Sequence, residues 1–111
     1  MKTVEDRRLF RFQGEVWLHP GAGGWHFVTL SHSLSKRIKA FVAADAAAWG
    51  SVKVSVRIDA TEWSTSIFPD RKRGAYLLPI KGGVRKERGI EAGSFVRGAI
   101  IVNCKRLAPL D

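Results

Sequence analysis

Apolar and polar residues alternate most regularly in residues 52–58. The apolar positions are Val52, Val54, Val56 and Ile58, and each is separated from the next by a polar residue. A period of two predicts a strand with one buried face. Residues 59–62 form a turn into a second, shorter run of strand-forming residues at 63–68. We therefore predict a hairpin over residues 52–68, which Pro69 stops, followed by a charged loop at residues 70–74.

Two further strands are predicted before this hairpin. Residues 10–18 alternate with the same period after a polar tail, and Gly14 within them marks a bulge or bend. Residues 19–24 contain a cluster of Pro and Gly, which predicts a loop. Residues 25–30 are rich in aromatic and β-branched residues and predict the next strand.

Between residues 31 and 50 the pattern changes to the period of a helix. Its apolar positions are Leu34, Ile38, Phe41 and Val42. Ser31, Ser33 or Ser35 is predicted to cap the helix, and an Ala-rich stretch continues it to Trp49, before Gly50. Its cations Lys36, Arg37 and Lys39 are predicted to face solvent.

The last third of the chain repeats the change from strand to helix to strand. Residues 75–80 predict a strand, in which Pro79 must lie at an edge or a strand end because it has no N–H to donate. A short helix is predicted over 84–88, with Gly89 as its left-handed cap and Ile90 packing behind it. After a turn at 91–94, residues 95–104 are nearly apolar on both faces apart from Arg97 and predict a central strand, followed by a frayed tail from Lys105.

The two halves share one order of elements, about 25–58 and about 75–102, although residue identity between them is slight. A strand-helix-strand unit of this size cannot bury its own apolar face, whereas two such units can close a barrel without unpaired edges. We predict a single domain over residues 1–111: a mostly β, small, closed double-split barrel of two pseudo-repeated units, with one longer and one short helix.

Several motifs carry a resemblance to a known family. They are Phe10-Arg-Phe, Gly14-Glu-Val-Trp17, Trp25-His-Phe-Val28, Trp63-Ser-Thr-Ser-Ile-Phe-Pro69, Tyr76-Leu-Leu-Pro-Ile80, Val84-Arg-Lys86 and Gly89-Ile-Glu-Ala-Gly93. Together they resemble the bacterial domain-of-unknown-function family numbered 1905. The resemblance implies a double-split β-barrel made in one chain by pseudo-duplication, and it implies no known activity. Ser31 and Ser94 depart from the family pattern, which has Pro and an acidic residue there.

The motif between Tyr76 and Gly93 is also similar to the swapped-hairpin DNA-binding domains of AbrB-type regulators and MazE-type antitoxins. In those proteins two chains each contribute half a barrel, and they bind DNA as symmetric dimers. Here both halves belong to one barrel, so the resemblance favours DNA binding only weakly.

The composition limits the cellular compartment that the sequence predicts. No stretch reaches the roughly 18 apolar residues of a membrane span, and the first eight residues lack the apolar run of a signal peptide. The single cysteine, Cys104, excludes an intrachain disulfide and is predicted to pack as a small hydrophobe in or near a strand. These features predict a cytoplasmic protein without a membrane partner.

The charge is strongly positive, because 19 Lys and Arg oppose 10 Asp and Glu. From residue 63 onward ten basic residues oppose four acidic ones, against nine and six before that point. The predicted anion-binding residues are Arg71, Lys72, Arg73, Lys81, Gly82, Gly83, Arg85, Lys86 and Arg88. A glycine pair before a basic helix suits a phosphate, but it is also an ordinary turn.

Candidate catalytic residues are sparse. His19, His26 and His32 have no thiolate or carboxylate at a matching spacing, so no metal site is predicted. Ser64, Thr65 and Ser66 lack a positioned base and suit a strand better than a nucleophile. We expect neither an enzyme nor a cofactor.

Two functions remain open on these observations. One is a non-catalytic binding module for a protein or a small molecule, with Trp17, Trp25, Trp63 and Tyr76 facing the ligand. The alternative is binding of nucleic acid or another polyanion through the basic residues of the second half, which would contact phosphates.

Overall fold

The structure is a computed structural model that describes residues 2–21, 23–43, 45 and 50–108. Those residues form six strands and two helices. In chain order they are β1 (Lys2–Leu18), β2 (His26–Thr29), α1 (His32–Val42), β3 (Val52–Ile58), β4 (Thr61–Asp70), β5 (Ala75–Pro79), α2 (Gly82–Arg88) and β6 (Phe95–Ala108). No helix in these ranges is long and apolar enough to cross a bilayer.

The six strands close into a barrel in the order β1, β2, β5, β4, β3, β6, with β6 returning to β1. Every pairing is antiparallel. α1 packs against β1, β5 and β6, whereas the shorter α2 packs against β4. The predicted mostly β closed barrel, with one longer and one shorter helix, is confirmed.

Both predicted units have the order strand, helix, strand. Their first strands, β2 and β5, pair with each other, and so do their last strands, β3 and β6. This arrangement is what a twofold relation between the units would require. The duplication itself and the single-domain assignment stay predictions.

The barrel interior is filled by the apolar set of each alternating strand. In β3 the four predicted apolar residues are buried, while Lys53 and Arg57 between them are exposed. Phe10, Leu78 and Ile100 are fully buried contributions from other strands. Each such side chain contributes about 1.5–3 kcal/mol to folding by leaving water. Cys104 is also fully buried, in β6, as predicted.

The predicted tails at both ends are wrong, because the ends pair with each other. β1 and β6 run antiparallel from Lys2↔Ala108 to Glu15↔Phe95. The ladder uses backbone groups, which do not depend on the polarity of the side chains. Phe41 of α1 packs at this ribbon, beneath the guanidinium of Arg106, whose Cζ lies 5.1 Å from its ring centroid.

Of the bulge or bend predicted at Gly14, the bulge is absent, because the β1–β6 register continues through Gly14↔Val96 without an extra residue, and the bend stays a prediction. Gly14 lies just before β1 changes partner from β6 to β2, whose first pair is Val16↔Val28. A Cβ at this position would lie 2.7 Å from Val28 Cγ1. Glycine therefore permits close packing at this point.

α1 begins as predicted but is shorter than predicted. The Ser31 hydroxyl accepts a hydrogen bond from the Leu34 backbone N–H at 3.1 Å, which caps the helix. Leu34 and Ile38 are buried, and the three predicted cations are exposed. The helix ends at Val42, and the remainder of the predicted continuation, at 44 and 46–49, lies outside the described residues.

The β3–β4 hairpin is confirmed, but Pro69 does not stop it, because β4 continues to Asp70. Pro69 pairs with Tyr76, whose N–H donates to Ser35 Oγ and whose C=O accepts from the Leu30 N–H. Tyr76 therefore makes its backbone hydrogen bonds elsewhere, and the missing proline donor costs this pair nothing.

The second strand-helix-strand segment follows the prediction closely. Pro79 is the last residue of β5, and Gly89 caps α2 in the left-handed conformation with φ 64°. Ile90 is buried behind the cap, and its N–H donates to Arg85 O. α2 begins at Gly82, two residues before the predicted start.

The close approach of β6 to β3 at Gly98 leads to a prediction about stability. A Cβ on Gly98 of β6 would lie 2.2 Å from Arg57 O of β3, so Gly98→Ala must displace backbone. We expect the free energy of unfolding to fall by about 1–3 kcal/mol in urea denaturation. Gly83→Ala is the matched control, because a Cβ there meets no heavy atom within 4 Å in a helix. It should match or exceed the parent, and equal losses in both variants would contradict this account.

Candidate ligand-binding cleft

A cleft of about 390 Å³ lies on the outside of the barrel. Its walls come from the loop that joins β1 to β2, from β4, from the end of β5 and from the start of α2. The lining residues are Gly23, Gly24, Trp25, His26, Thr65, Ser66, Phe68, Pro79, Ile80, Lys81, Gly82 and Arg85.

The strand register brings these segments together. Phe27 of β2 pairs with Pro79 of β5, and the Ile80 N–H donates to His26 O at 2.9 Å. In β4 the alternation turns Ile67 into the core and leaves its neighbour Phe68 41% exposed. The same register that closes the barrel thus places Phe68 beside the β1–β2 loop.

One wall is aromatic. Trp25 is 52% exposed and stacks on Phe27, with ring centroids 5.9 Å apart and an interplanar angle of 9°. Phe27 in turn contacts Trp17 at 5.3 Å, and the Trp17 indole N–H donates to Thr29 Oγ1 at 2.9 Å. This row of rings fixes Trp25 from one side.

A second part of the cleft lining is cationic. Lys81 Nζ donates to Ser64 O at 2.5 Å, which ties the start of α2 to β4. Arg85 Nε donates to Ile80 O at 3.2 Å, and this bond uses only one of the guanidinium donors. The hydroxyls of Thr65 and Ser66 also line the cleft. The arrangement combines a flat apolar surface with positive charge.

The nine predicted anion-binding residues are not one surface. Lys81, Gly82 and Arg85 line the cleft. Arg71, Lys72 and Arg73 stand in or beside the β4–β5 turn, and Gly83, Lys86 and Arg88 are exposed on α2.

Two of these cations are already engaged. Arg73 Nη1 lies 2.5 Å from Asp70 Oδ2, and its Cζ lies 4.6 Å from the Trp17 ring centroid. Arg88 forms an ion pair with Asp59 in the β3–β4 turn. Arg73 therefore connects the β4–β5 turn to Trp17, and Arg88 connects α2 to the β3–β4 turn.

The four predicted ligand-facing aromatics also separate. Trp25 lines the cleft and Trp17 is the far member of its ring row. Trp63 is half-buried against the core, and its buried Nε1 has no hydrogen-bond acceptor among the described residues. Tyr76 is 7% exposed, and burial raises the pKa of its phenol. It is a core residue and not a ligand-facing one, because β5 is buried on both faces.

The predicted site residues did not include Phe27, which belongs to the row of aromatic rings, or Phe68, which lines the cleft. Both are aromatic residues on the outward positions of strands, and this was the available signal. Their proximity depends on pairing between β2, β5 and β4, which no local pattern contains.

His26 and His19 contact different neighbours. His26 Nδ1–H donates to Gly24 O at 2.7 Å, and the ring of His19 lies 6.1 Å from those of Trp17 and Phe27. Across residues 2–21, 23–43, 45 and 50–108, no three His, Cys, Asp or Glu side chains come together in a way that would hold a metal ion.

Comparison with known proteins gives one family. The family model described as a domain of unknown function, DUF1905, matches residues 12–100. The matched segment includes every residue that lines the cleft. A search of curated proteins finds no match to the chain.

The Asp70–Arg73 pair beside Trp17 predicts a pH dependence. The Arg73 hydrogen bond holds the pKa of the Asp70 carboxyl below its ordinary value of 3.8, and burial opposes this less strongly. Because the folded-state pKa is lowered, the stabilisation is present above about pH 3.8 and is lost as the pH falls through the lowered value. We expect Asp70→Asn to lower the melting temperature at pH 7, with the difference shrinking below about pH 3.8.

The matched control is Glu87→Gln, which removes an exposed carboxyl on α2 that joins no ion pair in the described part of the chain. It should show no such pH-dependent difference. A difference between Asp70→Asn and the parent that persists unchanged through the acid range would contradict the role of this pair.

Proposed function

The chain belongs to the DUF1905 family, and from that premise we propose that it is a non-catalytic binding module with a small-molecule ligand in the cleft. The observation that carries the proposal is that a half-exposed Trp25 lines the same cleft as Lys81 and Arg85. The volume of about 390 Å³ falls in the range of small-molecule sites.

The two walls favour a particular ligand chemistry. A flat ring can stack on the exposed indole of Trp25, in line with the row of rings that already fixes it. A carboxylate or phosphate can accept charge-assisted hydrogen bonds from Arg85 and Lys81. The hydroxyls of Thr65 and Ser66 add polar partners. The ligand is thus a small molecule with an aromatic ring and an anionic group.

The proposal is non-catalytic because a hydroxyl becomes a nucleophile through a hydrogen bond to a base. His26 shares the cleft with Thr65 and Ser66, but no hydrogen bond in the described part of the chain joins its ring to either hydroxyl, and its Nδ1–H donates to Gly24 O. That bond holds the loop against β2 and suits a structural role.

The alternative, nucleic-acid binding through the basic residues between Arg71 and Arg88, has less support. Arg73 and Arg88 form ion pairs with Asp70 and Asp59. These contacts reduce the number of cations that this cluster offers to phosphates.

A thermal-shift screen of aromatic carboxylates and nucleoside monophosphates tests the proposal. A ligand at 100 times its Kd should stabilise the fold by about 2.7 kcal/mol. Trp25→Ala and Arg85→Ala should each weaken the best compound about tenfold, measured by isothermal titration calorimetry.

The control variants remove an aromatic ring or a cation from parts of the surface outside the cleft. Phe95→Ala deletes a ring that is 58% exposed outside the cleft, and Lys36→Ala deletes an exposed cation of α1. Neither should change the affinity. A screen without any stabilising compound, or a compound that binds Trp25→Ala as tightly as the parent, would refute the small-molecule site.

A further inference from the structure

A second positively charged surface lies on the outside of β1, β6 and β3. Its cations are Arg7, Arg11, Lys53, Arg57 and Arg97. We name this surface the basic face. Arg11, Lys53 and Arg57 each lie between two buried residues of their strand, and Arg97 follows the buried Val96. Arg7 has exposed neighbours, but it lies four residues before Arg11 in β1 and so points to the same side. All five therefore project from the same side of adjacent strands.

The register arranges the cations around a floor of mixed character, which includes Ala99 and Asn103 but also the apolar pair of Ile101 and the 54% exposed Leu9. Arg11 pairs with Ala99, and Ala99 pairs with Arg57, so the two arginines are about 10 Å apart across one strand. Arg7 pairs with Asn103, four residues and about 13 Å farther along β1. The positive charges of the basic face are therefore spread over several separate positions and are not concentrated at one.

These cations are free to bind. The ion pairs of the described residues are Arg73–Asp70, Arg88–Asp59 and Arg106–Asp6, and none includes a member of the basic face. Arg57 Nε donates to Asp59 O, which leaves its terminal amino groups available. By register, Glu62 lies directly opposite Arg57, Glu5 lies two residues from Arg7 on the same face of β1, and Glu15 pairs with Phe95.

A shallow groove of about 520 Å³ crosses this surface, lined by Lys53, Ser55, Ser64, Ser66, Ile101 and Asn103 among others. Hydroxyl and amide groups of this kind contact phosphate and sugar oxygens. Phe95 is 58% exposed at one end, and the Arg97 Cζ lies 5.9 Å from its ring centroid. An exposed ring beside a cation is a stacking site for an unpaired base.

We propose that the basic face binds single-stranded nucleic acid. Free cations track the phosphates, the hydroxyl-lined groove holds the backbone, and Phe95 stacks a base. The face is a sheet with neither helix lying on it, since α1 packs at the β1–β6 ribbon beside Phe10 and α2 against β4. It therefore lacks the projecting element that reads a duplex groove.

Fluorescence anisotropy with oligo-dT and oligo-U of about 12 nucleotides tests this assignment, because one small β-barrel binds roughly 4–16 nucleotides. Arg11→Ala/Arg57→Ala should weaken binding at least about tenfold and reduce the log–log salt slope by about 1.4, which is about 0.7 for each phosphate contact. Lys53→Ala/Arg97→Ala is a second pair on the same face with the same expected effect. Phe95→Ala should weaken binding about tenfold.

The control is Lys36→Ala/Lys39→Ala, which removes the same net charge from exposed positions of α1. It should keep the parent slope. No binding at low salt, or equal losses in the control, would overturn the proposal, as would preferential binding of duplex or of phosphatidylserine vesicles. Trp25→Ala should bind the oligonucleotide like the parent, and a loss there would place the strand in the cleft and refute the basic face.

Discussion

The rest of the structure depends on the antiparallel ladder between β1 and β6. It joins the two ends of the chain from Lys2↔Ala108 to Glu15↔Phe95 and so closes the barrel. A closed sheet leaves no edge strand with unpaired N–H and C=O groups. Two glycines beside this ladder permit close packing, Gly14 against the Val28 side chain and Gly98 against the backbone carbonyl of Arg57.

Closure also divides the outer surface into two regions with different chemistry. Pairing of β2 with β5 and β5 with β4 assembles the cleft, which Trp25, Phe68 and Arg85 line. Pairing of β6 with β1 and β3 assembles the basic face. In both regions the functional candidates are the outward members of alternating strands, whose inward neighbours form the core. The two regions are therefore consequences of one sheet and do not require separate elements.

Local patterns predicted the elements better than they predicted the site. The alternation of residues 52–58 predicted the bounds of β3 that the structure has, and the cap at Ser31 and the left-handed Gly89 lie where they were expected. The polar ends were misread as tails because their strand character comes from pairing across the whole chain. The basic cluster near Arg88 was predicted from proximity in sequence, whereas Asp59, remote in sequence, neutralises that arginine.

The amino-acid sequence alone contains the alternation, the turn residues and the helix caps, which act over a few neighbouring residues and need no distant partner. These specify a mostly β chain with two helices and a barrel-forming core. Strand register and the neutralisation of charges in ion pairs are different, because both depend on residues that are far apart along the chain. Only the tertiary structure decides that Tyr76 is core, that Trp25 and Arg85 line one cleft, and that Arg11 and Arg57 lie on a common surface outside the ion pairs of the described residues, because each of these depends on which strands lie side by side.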